Sequence, residues 1–193
     1  MNSRPAMGRL FVLSGPSGVG KDTVIRELVR LRPQLRRPPA FTTRLPRPGE
    51  VPDRDYSFVD PDTFAAMEAK GRFLETALVH GQRYGTSRER VETERARGRD
   101  VLLKLDVQGA AQLRDLGGDA IFIFLAPPSR EALLARLQGR ETEGPEELAV
   151  RTADADRELD EARWYQHRVV NDEVARAAAA VAEIVSEAGA GPG

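Results

Sequence analysis

The segment from Leu10 to Leu31 constrains the fold more than any other part of the chain. An apolar run, LFVLS, leads into the glycine-rich stretch GPSGVGKDT at residues 15–23. The apolar spacing from Thr23 to Leu31 then predicts an amphipathic helix, and the short apolar run predicts a buried strand. A strand that passes through a glycine loop into a helix is a building unit of parallel α/β sheets.

The glycine-rich stretch has the chemistry of an anion cradle. Glycine permits backbone N–H groups to turn inward, a lysine adds positive charge, and the helix N-terminus favours an anion. The pattern G-x-x-x-x-G-K-[ST] is met through Lys21 and broken at Asp22, where a hydroxyl is expected. The alternative is an ordinary turn. The residues predicted to bind phosphate are Gly15, Ser17, Gly18, Val19, Gly20, Lys21, Asp22 and Thr23.

Apolar runs alternate with segments of helical period along the rest of the chain. This alternation predicts an α/β fold, with a P-loop parallel sheet core flanked by helices. Strands are predicted at Leu10–Ser14, Val101–Asp106, Ile121–Ala126 and Arg168–Val170. Further helices are predicted at Ser87–Arg97, Gln108–Leu116, Ser129–Leu137, Glu146–Tyr165 and Asp172–Ala188, with Ser87 and Ser129 as N-caps.

A single domain is expected over residues 1–193, with two inserts in its core. Residues 40–87 carry short strand-like runs, turn residues and a helix near Pro61–Lys70, which predicts a small, mostly β insert. Residues 139–147 are polar and turn-rich and predict a lid. The core then comprises residues 8–39, 88–138 and 148–188, and residues 189–193 are expected to be a disordered tail.

Composition excludes several classes of function. The chain has no cysteine, so disulfides and thiolate metal sites are excluded. No stretch approaches the roughly 20 apolar residues of a membrane span, and the N-terminus lacks a signal-peptide core. A cytoplasmic protein without membrane partners is expected. Seven arginines lie between Arg30 and Arg54, but a net charge of −1 and the lack of interleaved aromatic residues argue against nucleic acid.

Two arginines and a tyrosine in the insert are candidate acceptor ligands. Arg44 and Arg47 lie in TTRLPRPGE, and Tyr56 follows in DRDYSF. A guanidinium binds phosphate through a planar fork, and a tyrosine hydroxyl can add a donor. The alternative is a solvated basic loop. The phosphate loop upstream disfavours that alternative, because a kinase needs a second phosphate site for its acceptor.

Glu75 is an unusual residue among the apolar positions of FLETALV. A carboxylate there can accept the N1–H and the N2 amine of guanine, donors that adenine does not present in that pattern. A site built in this way rejects the wrong base through unpaired polar groups. A glutamate at a strand edge facing water is the other interpretation, and the residue alone does not decide between the two.

Charged residues elsewhere suit a nucleotide site. Asp106 follows a predicted buried strand, where an acid can hold hydrated Mg²⁺, and Lys104 should point to the same side of that strand. Arg136, Arg140 and Arg151 flank the polar segment, where arginines can neutralise a transferring phosphoryl group.

These stretches, taken in order, resemble the guanylate kinase family from about Leu10 to Val185. The motifs are GPSGVGKDT, TTRLPRPGE with DYSF, FLE followed by HGQRYGTS, LDVQGA, and VVND. The resemblance implies a core, a GMP-binding insert and a helical lid. It also implies ATP and Mg²⁺ as donor and cofactor, GMP or dGMP as acceptor, and a monomer or homodimer.

The resemblance assigns roles residue by residue. ATP binding involves the loop and Asn171, and catalysis involves Lys21, Arg44, Arg136, Arg140 and Arg151. GMP binding involves Arg44, Arg47, Tyr56, Glu75, Tyr84, Thr86 and Asp106. The residues' own oxygen chemistry, apart from the resemblance, predicts Asp22, Thr23 and Asp106 as metal ligands, with Asp22 and Asp106 sharing a hydrated Mg²⁺.

Three residues depart from the family pattern. Asp22 replaces a serine, Ala40 stands where a serine helps to hold guanine, and Lys104 replaces the first acid of D-x-D. Asp22 is therefore expected to compensate for the missing acid. Two alternatives stay open: a kinase of the same fold for another phosphorylated acceptor, such as ribose 1,5-bisphosphate, and a binding module without catalysis.

Overall fold

The computed structural model describes residues 6–79, 81–138, 153 and 157–188. The predicted lid, Arg140, Arg151, the tail and half of the helix predicted at Glu146–Tyr165 lie outside these residues. In chain order the elements are β1 (Leu10–Ser14), α1 (Lys21–Leu31), β2 (Ala40–Thr42), β3 (Tyr56–Phe58), α2 (Pro61–Ala69), β4 (Phe73–Val79), β5 (Gln82–Ser87), α3 (Arg88–Ala96), β6 (Val101–Lys104), α4 (Val107–Asp115), β7 (Ile121–Ala126), α5 (Arg130–Gln138), a 3-10 helix (Glu161–Trp164), β8 (His167–Val170) and α6 (Val174–Glu187).

A four-stranded sheet with the order β6-β1-β7-β8 forms the core, as the alternating pattern predicts. Strand β1 pairs in parallel with β7, and β7 pairs in parallel with β8. Every residue of β1 is buried, which explains its continuous apolar sequence. The α/β class with a parallel sheet flanked by helices is confirmed.

Helices α1 and α6 pack against each other through apolar stripes. The buried positions are Val24, Ile25 and Leu28 on α1, and Ala177, Ala178, Val181, Ala182 and Val185 on α6. Small alanines let the two helices approach closely, and the i, i+3/i+4 spacing places one face inward. The predicted serine caps are confirmed, since Ser87 Oγ accepts from Arg90 N–H and Ser129 Oγ accepts from Ala132 N–H.

A second sheet, with the order β3-β2-β5-β4, lies within residues 40–87. Strand β2 pairs in parallel with β3 and antiparallel with β5, which also pairs antiparallel with β4. One face of this sheet carries Phe41 and Phe73, and Phe64 of α2 stacks on Phe73 with ring centroids 4.7 Å apart. Gly85 is required there, because a Cβ would lie 2.9 Å from the Phe73 ring.

The chain divides into two compact units. The first comprises residues 1–10, 35–103 and 108–120, and includes the second sheet with α2, α3 and α4. The second comprises residues 11–34, 104–107 and 121–193, and includes the glycine loop, α1, α5 and α6.

Several predicted element boundaries differ from the observed ones, most clearly at the end of β6 and at the end of the helix predicted at Glu146–Tyr165. Strand β6 ends at Lys104 rather than Asp106, because α4 begins at Val107 and Asp106 belongs to the connection. The helix predicted to reach Tyr165 instead ends in the 3-10 helix, and Tyr165 is extended. Its ring packs against Phe124 with centroids 5.0 Å apart, which directs the backbone into β8.

None of the helices in the described part of the chain is both long enough and apolar enough to cross a membrane.

Replacing Phe64 with alanine should destabilise the first unit. The side chain is fully buried and stacked on Phe73, so its loss removes transfer energy and leaves a cavity. We expect a loss of about 3–5 kcal/mol in the free energy of unfolding, measured by urea denaturation. Leu116→Ala, at a 61% exposed position, is the control and should cost less than about 0.5 kcal/mol. Equal losses would contradict this description of the core.

Candidate functional site

The glycine loop is held in a conformation that only glycine adopts easily. Gly15 has φ +147° and a Cβ there would lie 2.3 Å from the Leu125 carbonyl oxygen. Gly20 has φ +97° and a Cβ there would lie 2.7 Å from Asn171 Nδ2. Both positions combine positive φ with close approach, so the loop passes tightly over β7 and the residue after β8. The predicted strand–loop–helix context is confirmed.

Lys21 opens α1 and turns back over the loop. Its ammonium donates to the carbonyl oxygens of Gly15 and, at 3.1 Å, Pro16. Burial lowers the pKa of Lys21 to about 8. The carboxylates of Glu158, Asp106 and Asp22 act in the opposite direction, and Lys104 adds to the lowering. A partly buried lysine whose pKa is perturbed by neighbouring charges is a candidate functional residue.

Asp22 and Lys104 contact each other directly. Lys104 Nζ donates to Asp22 Oδ1 at 2.7 Å, across 82 positions of sequence. Lys104 is largely buried, with 20% of its side chain exposed, whereas 70% of the Asp22 side chain is exposed. Two of the three residues that depart from the family pattern therefore form one ion pair beside the loop.

Asn171 and Arg136 support the loop through its carbonyl groups. Buried Asn171 donates from Nδ2 to the Val19 carbonyl at 2.7 Å. Arg136 donates to the same carbonyl at 3.2 Å and to the Asn171 carbonyl at 3.0 Å. The structure thus brings both predicted residues to the loop, and their contacts fix its backbone.

Glu158 was missed by the sequence analysis. Its carboxylate accepts a hydrogen bond from the Ser17 N–H at 3.0 Å, and it is the strongest charged influence on Lys21. The cradle therefore binds a carboxylate of the protein itself. No local motif marks Glu158, which lies 141 positions from Ser17, so only the folded chain reveals it.

One face of the second sheet collects the predicted acceptor residues. Ala40 pairs with Tyr56 and Thr42 pairs with Tyr84, so cross-strand neighbours share a face opposite Phe41 and Gly85. The Tyr56 and Tyr84 rings meet edge to face, 5.9 Å apart.

Arg44 is fixed by several partners on this face. Its guanidinium binds both carboxylate oxygens of Glu50 at 2.7 and 2.8 Å, and donates to the Tyr84 hydroxyl at 3.3 Å. It also lies 5.1 Å from the Tyr56 ring centroid. The bidentate contact holds the pKa of Glu50 below its usual range. Glu50 had no predicted role, although it closes the motif TTRLPRPGE.

Glu75 is 6% exposed, so the interpretation as a water-facing strand-edge residue was wrong. Its carboxylate accepts a hydrogen bond from the Thr86 hydroxyl at 2.5 Å. Glu75 and Thr86, both predicted to bind GMP, are therefore in contact.

Arg47 is exposed, and its backbone N–H donates to Glu50 at 2.7 Å.

The oxygen donors near the loop suit a hydrated cation. Asp22, Thr23 and Asp106 offer hard oxygens, and the described residues contain no cluster of three or more His, Cys, Asp or Glu that could enclose a metal. Mg²⁺ usually keeps several waters and uses one or two carboxylates with substrate phosphates. The donor set therefore fits Mg²⁺ bound with nucleotide and does not form a cage of protein ligands.

A cavity of about 910 Å³ in the first unit contains none of the predicted site residues. Arginines from the β2 and α3 regions line it, but Glu94, also in the lining, pairs with two of them, Arg36 and Arg99. We assign no function to this cavity.

Replacing Glu158 with glutamine should tighten anion binding at the loop. The change removes a carboxylate that competes for the Ser17 N–H and repels an incoming polyanion. We expect the Kd for pyrophosphate, measured calorimetrically without metal, to fall about tenfold. Asp160→Asn removes an equal charge from an exposed neighbour and should leave the Kd unchanged. A weaker or unaltered affinity in Glu158→Gln would contradict this competition.

Comparisons with known proteins agree with the geometry. The family model described as guanylate kinase matches residues 7–188. The chain is 45% identical to guanylate kinase of Geobacter sulfurreducens over 170 residues, covering 88% of this chain and 84% of that protein. It is 45% identical to guanylate kinase of Nitrosomonas europaea over 179 residues, covering 93% and 89%. The crystal structure of guanylate kinase from Anaplasma phagocytophilum superposes with a TM-score of 0.79 at 28% identity, covering 95% of this chain and 87% of that one. The chain belongs to the guanylate kinase family.

Proposed function

We propose that this protein transfers the γ-phosphoryl group of ATP to the phosphate of GMP or dGMP, yielding ADP and GDP or dGDP. The observation that carries the proposal is the buried Glu75 carboxylate, joined to Thr86 on the face that holds Arg44. Glu75, Thr86 and Arg44 belong to the first unit, and the second unit contains the glycine loop with Lys21.

The loop is proposed to bind the ATP phosphates. Gly15, Gly18 and Gly20 have positive φ angles, which lets backbone N–H groups converge on an anion. The Lys21 ammonium exchanges its carbonyl partners for phosphate oxygens on binding. Asn171 and Arg136 keep the Val19 segment in place during that exchange.

The second-sheet face is proposed to bind GMP. Glu75 accepts the N1–H and the N2 amine of guanine, a pattern that adenine does not supply. Arg44, Arg47, Tyr56 and Tyr84 bind the GMP phosphate, with Glu50 aiming the Arg44 fork. Thr86 orients the Glu75 carboxylate.

Transfer itself needs little covalent chemistry from the protein. The attacking GMP phosphate oxygen is an anion near neutral pH, so a general base is unnecessary. Lys21, Arg44, Arg136, Arg140 and Arg151 are proposed to neutralise charge on the transferring group and to position both substrates. Mg²⁺ held by Asp22, Thr23 and Asp106 would supply additional positive charge at the phosphates.

The wider assignments follow from the same proposal. A core, a GMP-binding insert over residues 40–87 and a lid over residues 139–147 would exclude water from the reaction. The partners are nucleotides, the location is the cytoplasm where these nucleotides are used, and the protein is a monomer or a homodimer.

An acceptor panel tests the proposal. ADP formation from ATP and Mg²⁺ is measured with GMP, dGMP, AMP, IMP or ribose 1,5-bisphosphate. Turnover at roughly 1–100 s⁻¹ with GMP and dGMP is expected. Turnover with the sugar bisphosphate alone would contradict the proposal, and GMP binding without turnover would indicate a module that lacks catalysis.

Glu75→Gln should damage GMP recognition selectively. The amide presents an N–H toward a guanine donor, leaving buried polar groups unpaired. We expect the KM for GMP to rise at least about tenfold while the KM for ATP changes less than about twofold. Glu89→Gln, an exposed change at the start of α3, is the matched control. Equal losses for both substrates would remove Glu75 as the base-reading residue.

A further inference from the structure

We propose that Asp22 and Lys104 act as one charge-compensated unit at the phosphate loop, with Lys104 neutralising Asp22 so that this carboxylate does not repel bound polyphosphate. Lys104 is thus assigned as a positioning residue for nucleotide binding. The inference rests on the proposed function of the loop in binding ATP phosphates.

The contact is specific in its geometry. Asp22 is the second residue of α1, immediately after Lys21, and Lys104 is the last residue of β6. Their side chains meet at 2.7 Å, although the two residues come from different segments of the chain. The fold therefore brings a cation to the one position where the loop carries an unexpected anion.

The unequal exposure of the two side chains indicates a role beyond stability. An exposed ion pair contributes little to folding because solvent screens it and side-chain order is costly. Asp22 is mostly exposed, so its carboxylate keeps most of its hydration with or without a partner. Lys104 is mostly covered by the protein and has little freedom to follow a mobile anion. The pair therefore holds a positive charge in a fixed position beside the loop and contributes little to the stability of the fold.

The charge balance explains why a carboxylate is tolerated there. A polyphosphate on the loop brings several negative charges within a few ångströms of Asp22. Alone, that carboxylate would oppose binding, but the pair that it forms with Lys104 has no net charge. Lys104 also influences Lys21 electrostatically, which places both ammonium groups around the same site. A metal ion that binds Asp22 would share the carboxylate with Lys104.

The consequence is that neither residue can be judged alone. Lys104→Met removes the cation and leaves the Asp22 carboxylate uncompensated beside the phosphates. Asp22→Ser removes the carboxylate and leaves the Lys104 charge in excess. Together the two changes remove one charge of each sign, so the double variant should bind polyphosphate about as tightly as the wild type does.

A double-mutant cycle tests this compensation. The Kd for ADP in EDTA is measured by calorimetry for the wild type, Asp22→Ser, Lys104→Met and the double variant. We expect Lys104→Met to weaken metal-free ADP binding about tenfold, and the double variant to bind ADP within about threefold of the wild type. An unchanged affinity in Lys104→Met, or a double variant as weak as Lys104→Met, would overturn the proposal.

Further readouts separate positioning from folding. Lys104→Gln replaces Lys104→Met if that variant fails to fold, and the same recovery beside Asp22→Ser is expected. Lys104→Arg should keep the affinity within about threefold, since it retains the charge. The Kd for GMP, measured in EDTA without ADP, should change less than about twofold throughout; a parallel loss of GMP and ADP affinity would indicate structural damage and overturn the proposal. Absence of GMP turnover in the wild type would defeat the proposed function instead, and the binding cycle would still decide the coupling.

Discussion

The desolvation of the Lys21 ammonium is the constraint on which the nucleotide half of the structure depends. Desolvation lowers the pKa of Lys21 to about 8. The ammonium donates to loop carbonyls that a bound phosphate would replace. Gly15 and Gly20 permit the loop to surround it, and Asn171 with Arg136 hold the Val19 carbonyl on the other side. Glu158, Asp22 and Asp106 keep the cation partly compensated before an anion arrives. The Lys21 ammonium is therefore less stable in the loop than it is in water, and a bound polyphosphate would stabilise it.

The proposed GMP-binding face of the second sheet depends on a different feature, which is an ordered set of polar side chains. Strand alternation sends Phe41 to the side of Phe73, while Tyr84 and Thr86 point the other way. Glu75 joins Thr86, and Glu50 fixes Arg44. Each hydrogen-bonding group is thereby oriented before the substrate arrives, which lowers the cost of ordering it during binding.

Local patterns predicted the parallel sheet, the loop and most element boundaries, because apolar periodicity and glycine spacing act over a few residues. Such patterns could not predict that Lys104 meets Asp22, that Glu158 reaches Ser17, or that Asn171 supports Val19, since these contacts join distant segments. The burial of Glu75 also required the fold, because an acidic residue in an apolar strand suits either the interior or the edge. Arg140 and Arg151 lie outside the described residues, so their assignments stay predictions.

The most direct test of the central claim follows phosphorus itself. The wild-type protein is incubated with ATP, Mg²⁺ and GMP, and the products are followed by phosphorus NMR. We expect loss of the ATP γ-signal to be matched one for one by loss of the GMP monoester signal, with no inorganic phosphate. Release of inorganic phosphate without consumption of GMP would show hydrolysis in place of transfer and would contradict phosphoryl transfer to GMP.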